Sequence, residues 1–137
     1  MAIAEEVGAA LAERGVVVVC GGRGGVMEGA CRGAKRGGGT TVGILPGEDR
    51  AAANEFVDVA IATGLGEARN ALVVRAADAL IAIGGSWGTL SEIALAQRAG
   101  KRVVGIGTWE LASAGGEPVE GIERAGGAAE AVELALR

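Results

Sequence analysis

The side chains with the strongest chemical character fall in one block, Gly84-Gly85-Ser86-Trp87-Gly88-Thr89-Leu90-Ser91-Glu92. Gly84, Gly85 and Gly88 let the backbone bend sharply and bring N–H groups close to a ligand. Thr89 stands where a helix cap belongs, and a helix N-terminus offers free N–H donors with partial positive charge. This is the chemistry of a phosphate cradle. A structural strand-to-helix turn favours the same residues. Glu92 lies one turn into the helix, at the mouth of the cradle. A carboxylate repels phosphate, so Glu92 suits a neighbouring hydroxyl.

Two arginines are candidate partners for an anion. Arg69 opens the helix after Gly64-Leu65-Gly66, where a cation opposes the helix dipole by roughly 0.3–1 kcal/mol when exposed. A bound anion would offset that cost; an exposed surface arginine is the plainer reading. Arg23, between Gly22 and Gly24 in a first glycine turn at 21–25, carries the same two readings. Asn70 either orients Arg69 or a ligand, or stands exposed. Trp87 is either a core plug or a stacking surface over the ligand. The second is favoured because Phe56, Trp87 and Trp109 are the only aromatic residues.

Several familiar chemistries are excluded. Gly84-Gly85-Ser86-Trp87-Gly88 matches G-x-S-x-G, but the chain has no histidine, so Ser86 has no conventional base. The same absence removes histidine general bases and histidine metal ligands. Reading G-x-G-x-x-G from Gly22 and Gly24 puts Met27 at the third glycine, and no G-x-x-x-x-G-K-[ST] occurs. Cys20 and Cys31 are too far apart for C-x-x-C, which favours two buried, reduced thiols in a cytoplasmic protein. Lys35 and Lys101 lie outside the glycine turns, which argues against Schiff-base chemistry. The net charge is −4 and there is no basic run, so no broad nucleic-acid surface is expected. No apolar run approaches the roughly 20 residues of a membrane span, and Met1 leads straight into an amphipathic pattern rather than a secretory signal.

The elements that must carry these groups are legible from spacing. Ile3, Val7 and Leu11 put residues 2–14 on a helix. Val16 to Cys20 reads as a buried strand, 26–36 as a helix, and Thr41 to Leu45 as a strand stopped by Pro46-Gly47. Residues 48–55 read as a loop or short helix, Val57 to Ala62 as a strand, and 67–77 as a helix with Leu72, Val73 and Ala76 inward. The continuous apolar run Ala79–Ile83 suits a strand buried on both faces of a parallel sheet. A helix over 89–99, a strand over Arg102–Ile106, a loop over 107–121 and a helix over 125–136 complete the chain. With 26 glycines among 137 residues, linkers alone cannot account for the glycine, whereas repeated βα turns do. The pattern predicts one domain over residues 1–137, an α/β parallel sheet with right-handed crossovers. Ligands of such sheets bind beyond the carboxyl ends of the strands, where the turns at 21–25, 64–66 and 84–88 fall.

Gly21-Gly22-Arg23-Gly24-Gly25-Val26-Met27 together with Gly84–Glu92 resembles the Lonely Guy superfamily. That superfamily includes cytokinin-activating phosphoribohydrolases, proteins once called lysine decarboxylase-like, and molybdenum cofactor carrier proteins. The hydrolases carry P-G-G-x-G-T-x-x-E; Gly85, Gly88, Thr89 and Glu92 match, while Gly84 replaces the proline and Ser86 the second glycine. The resemblance implies a Rossmann-like three-layer fold, and it would give Glu92 and Arg69 the hydrolases' catalytic roles in cleaving the N-glycosidic bond of a nucleoside 5′-monophosphate. The hydrolases have Arg-Lys preceded by histidine, whereas Glu67-Ala68-Arg69-Asn70 is closer to the carrier branch. What the resemblance implies is therefore a carrier or sensor for a phosphorylated nucleotide or molybdopterin-like ligand, with the hydrolase as the alternative. It further implies a homodimer or larger homo-oligomer and requires no metal ion or organic cofactor. Family members open with a strand that lies mid-sheet, between the strands here at 16–20 and 79–83. This chain opens with the following helix. The expectation is that the recorded start lies downstream of that strand, or else that another chain or a rearranged sheet fills the gap.

Overall fold

The computed structural model describes residues 2–137. Apolar spacing builds α1 (Ala2–Glu13), which buries Ala4, Val7 and Gly8. It is followed by β1 (Val18–Cys20), α2 (Val26–Arg36), β2 (Thr41–Leu45), β3 (Val59–Ala62), α3 (Arg69–Ala76), β4 (Ala79–Ile83), α4 (Trp87–Arg98), β5 (Arg102–Ile106), β6 (Ile122–Arg124) and α5 (Ala128–Ala135). Single 3₁₀ turns at Arg50–Ala52 and Gly66–Ala68 lead into β3 and α3. The alternation of strand and helix is as the spacing predicts. β6 is the addition: Ile122–Arg124 is too short to show a period, and it exists by pairing alongside β5.

Every ladder is parallel, but the strands fall into two sheets. One has the order β1-β2-β3 and the other β4-β5-β6. Val18 to Cys20 register with Thr41 to Gly43, and Val42 to Leu45 with Val59 to Ala62. In the second sheet Ala79 to Ile83 register with Arg102 to Ile106. β1 and β4 are each paired on one side only and not with each other. The break falls where the opening strand of the resemblance would lie.

Helices cover both faces of the second sheet. Ile81 and Ile83 of β4 join Val104 and Ile106 of β5 under Val7 of α1 and Ala128, Ala131 and Val132 of α5. On the opposite face Ala82 and Val103 meet Ile93 and Ala96 of α4 and Val74 of α3. The odd and even residues of β4 thus serve different cores, the period-2 consequence of a strand buried on both sides. In α3 the inward residues are Asn70, Val73 and Val74. The expectation for Leu72 and Ala76 fails: Leu72 is 41% exposed and Ala76 is exposed too, because the helix starts at Arg69 and its face is set by Val74.

α1 and α2 pack at backbone contact. A Cβ on Gly8 would lie 2.0 Å from the Ala30 carbonyl oxygen, and one on Gly33 would lie 2.0 Å from that of Glu5. Glu5 then bridges the pair, accepting from Arg32 at 2.7 Å and Arg36 at 3.1 Å. Lys101 donates through Nζ to the Val74 carbonyl at 2.8 Å and to those of Arg75 and Ala77. A cation there caps the last carbonyls of α3 and suits the negative end of the helix dipole.

Candidate functional site

The cradle block folds as a strand-to-helix turn, with one change to its cap. α4 begins at Trp87, two residues earlier than expected, and its N-cap is Ser86 rather than Thr89. The Thr89 N–H donates to Ser86 Oγ at 3.1 Å, and the two hydroxyls lie 2.8 Å apart. Serine is the better cap because its short hydroxyl reaches the N–H three residues on. The correction alters the donor set. The Thr89 N–H is taken by the cap, while those of Gly85, Ser86, Trp87 and Gly88 have no acceptor among the described residues.

The turn is held from beneath by the segment after β5. Thr108 Oγ1 donates to the Gly84 carbonyl at 2.6 Å, and Trp109 Nε1 donates to the Ser86 carbonyl at 2.9 Å. Arg124 in turn donates to the Trp109 carbonyl at 2.7 Å. The two indoles lie with centroids 5.0 Å apart at 36°, within the range of a favourable aromatic pair. Trp87 is 76% exposed, so it is no core plug; its ring stands at the rim of the turn, braced by Trp109.

Glu92 is half-buried on α4, one turn beyond Gly88 and on the same face. Burial pushes its carboxyl above the ordinary glutamate value, the Arg69 guanidinium opposes that rise, and no protein hydrogen bond enters the balance. Arg69 and Glu92 are therefore electrostatic neighbours. Arg69 itself is positioned firmly. Its Nε donates to the Ile44 carbonyl at the end of β2 at 3.0 Å, and Nη1 donates to the buried Asn70 Oδ1. Asn70 thus orients the arginine rather than standing exposed. The rest of the guanidinium lies against Gly21, where an added Cβ would come within 2.5 Å of Nη2.

That contact joins the first glycine turn to the group. Gly22, at φ +77°, has Leu45 and Gly43 directly behind it, so both its conformation and its space require glycine. Asn54 fastens the turn: its backbone N–H donates to the Gly22 carbonyl at 2.9 Å and its side chain to the Arg23 carbonyl at 2.8 Å. Arg23 and Gly24 are exposed beyond it. The ends of β1 and β2 and the starts of α3 and α4 thus gather Gly21, Arg69, Asn70 and Glu92, with Gly85–Gly88 one turn of α4 away.

Comparison with known proteins settles the family. The family model described as the SLOG cluster4 family matches residues 1–131. The chain belongs to the SLOG cluster4 family. This bears out the resemblance carried by the two glycine blocks. Another relative is an uncharacterized protein of Archaeoglobus fulgidus, 50% identical over 104 residues, spanning 76% of this chain and 68% of that one. Among solved structures, the fold is similar to a molybdenum cofactor binding protein from the phototrophic bacterium Rippkaea orientalis. The TM-score is 0.86 at 38% identity, over 96% of this chain and 83% of that one. It is also similar to the molybdenum cofactor carrier protein of Chlamydomonas reinhardtii, with TM-score 0.81 and 37% identity over 98% and 86% of the two chains. These likenesses make the SLOG chain a Rossmann-like α/β protein.

Three residues that shape this candidate site escape a reading of motifs. Asn54, Thr108 and Trp109 each lie more than 20 residues from the carbonyl they hold. Only an asparagine and a tryptophan beside otherwise plain loops hinted at them. A cleft of about 340 Å³ between α3 and α4, lined by Val74, Arg75, Leu95 and Arg98 among others, lies at the far end of α4 from the glycine turns. It holds none of the groups described above. Among the described residues no cluster of histidine, cysteine or carboxylate side chains suits a metal ion, and no helix is long and apolar enough to cross a membrane.

Proposed function

We propose that this protein binds a small phosphorylated ligand, a nucleotide or a molybdopterin-like compound, at the carboxyl edge of its strands and serves as a carrier or sensor. The observation that carries the reading is the set of unengaged N–H groups at Gly85–Gly88, opening α4 beside Arg69 and Glu92. Phosphate would rest on those N–H groups with the Thr89 hydroxyl at its edge. Arg69 would contribute positive charge, Glu92 would accept from a hydroxyl or ring N–H of the ligand, and Trp87 would offer a face for its planar ring. Gly22, Arg23 and Gly24 would close the site from the first turn. The likeness to proteins described as molybdenum cofactor binding and carrier proteins supports the pterin-like choice. The reading includes a homodimer or larger homo-oligomer in the cytoplasm as the functional unit.

Native mass spectrometry of the purified protein tests the reading. A co-purifying molybdopterin or nucleotide, lost on Arg69→Ala, supports it. An empty protein that also fails to take up AMP or molybdopterin in titration overturns it. One observation favours a second reading: a half-buried carboxyl raised toward its protonated form beside an arginine suits general acid–base work. On that reading AMP yields free base and ribose 5-phosphate, and Glu92→Gln abolishes release while leaving binding nearly intact. Binding without release favours the carrier.

A further inference from the structure

Cys20 and Cys31, eleven residues apart in the chain, meet in the fold. Their sulfurs are 3.5 Å apart, Cys20 at the last position of β1 and Cys31 in α2. A disulfide needs about 2.05 Å between sulfurs, so closure calls for a movement of roughly 1.5 Å between neighbouring elements. The two thiols are not equivalent. Cys31 is fully buried, whereas Cys20 keeps 9% of its surface and sits on a strand with β2 on one side and no strand on the other. Cys20 Sγ also accepts the Gly22 N–H at 3.4 Å.

We propose that Cys20 and Cys31 are an oxidation-responsive dithiol, in which a peroxide oxidises Cys20 and Cys31 resolves it to an intramolecular disulfide. Cys20 thiolate attacks one peroxide oxygen; an S–O bond forms, the O–O bond breaks, and two electrons pass from sulfur to the peroxide. With H₂O₂ and one proton the products are a sulfenic acid and water. Cys31 sulfur then displaces the sulfenic oxygen; the S–S bond forms, the S–O bond breaks, and hydroxide leaves with the Cys31 proton as a second water. The geometry favours this order. Either thiol can donate in the Cys20–Cys31 pair, but Cys20 alone also accepts the Gly22 N–H. With Cys31 as the donor, both bonds and Arg69 stabilise negative charge on Cys20, while burial and Glu92 oppose. Cys31, fully buried, is held toward the neutral thiol by Cys20 and by burial. The bond would tie the end of β1 to α2 across the base of the first glycine turn.

The test treats the folded, reduced protein with hydrogen peroxide and follows intact mass and free thiols. The expected result is a loss of 2 Da and of both thiols without a covalent dimer, reversed by dithiothreitol. Cys31→Ser should stop at a sulfenic acid on Cys20 that dimedone traps, and Cys20→Ser should leave Cys31 unmodified under the same conditions. Two free thiols after treatment of the wild-type protein, or cross-linking only between chains, overturns the proposal. Because the wild-type mass decides it, a variant that fails to fold leaves the test intact, and the result is independent of any ligand.

Discussion

Glu92 sits in an environment that its local sequence does not announce. A glutamate on a helix is ordinarily solvated, but here the carboxyl is half-buried and its proton affinity is raised. The sign of the stability effect follows. A carboxyl whose folded-state affinity for protons exceeds its unfolded-state affinity favours the fold at pH below the unfolded value of 4.5. That contribution is lost as pH rises through the higher folded-state value. Glu92→Gln, which removes the charge and keeps the shape, should therefore raise the melting temperature at pH 7 to 8 by a few degrees. The advantage should disappear near pH 4. Melting curves of the two proteins across that range check it; equal melting temperatures at neutral pH would mean that Glu92 is solvated after all. The same substitution separates carrier from hydrolase, so stability and turnover are best measured on one preparation.

Between elements, the closest packing is that of α1 on α2. Gly8 and Gly33 each take the place of a side chain that would overlap a carbonyl oxygen of the other helix, and the Glu5–Arg32–Arg36 group lies along the same seam. Those ion pairs are partly exposed and add little by themselves; the seam is defined by shape. Gly33→Ala should destabilise the protein by about 1–3 kcal/mol, the usual range for overpacking, even though alanine is the better helix former by roughly 1 kcal/mol. Urea unfolding of the variant measures it. A stability equal to or above wild type would show that the helices separate freely. The loss would reach the candidate site as well, since α2 begins directly after the Gly21–Gly25 turn.

Two parallel sheets sharing one set of helices make up the fold. α1 contacts the core beneath β4 and β5 and packs along α2, and α3 lies beside both β1 and α4. The helices thus hold together two sheets that share no ladder. Among the described residues, the edges of β1 and β4 that face the break carry backbone groups with no strand partner, an aggregation hazard where solvent reaches them. Hydrogen exchange followed by mass spectrometry should find β2 and β5, paired on both sides, slower to exchange than β1 and β4. Equal protection of all four would reveal that a further strand, from another copy or elsewhere, occupies the gap in solution.

The alternation of strands and helices, the three glycine turns and the buried character of Ala79–Ile83 are all written in local spacing. Strand and helix periods and the backbone freedom of glycine act over a few residues, so a reader of the chain can recover them. The resemblance to a family likewise needs only two short blocks. Contacts between distant segments are a different matter. Nothing local distinguishes Ser86 from Thr89 as the cap until the helix start is fixed, and nothing announces that Trp109 braces Trp87 or that Asn54 fastens the first turn. The spacing of Cys20 and Cys31 fits no local motif, yet β1 and α2 fold back and bring their sulfurs to 3.5 Å. The break between the two sheets is of this kind too. Each strand's sequence says that it is buried, while the identity of its neighbours depends on how the helices close over the strands and on which backbone edges they leave unpaired.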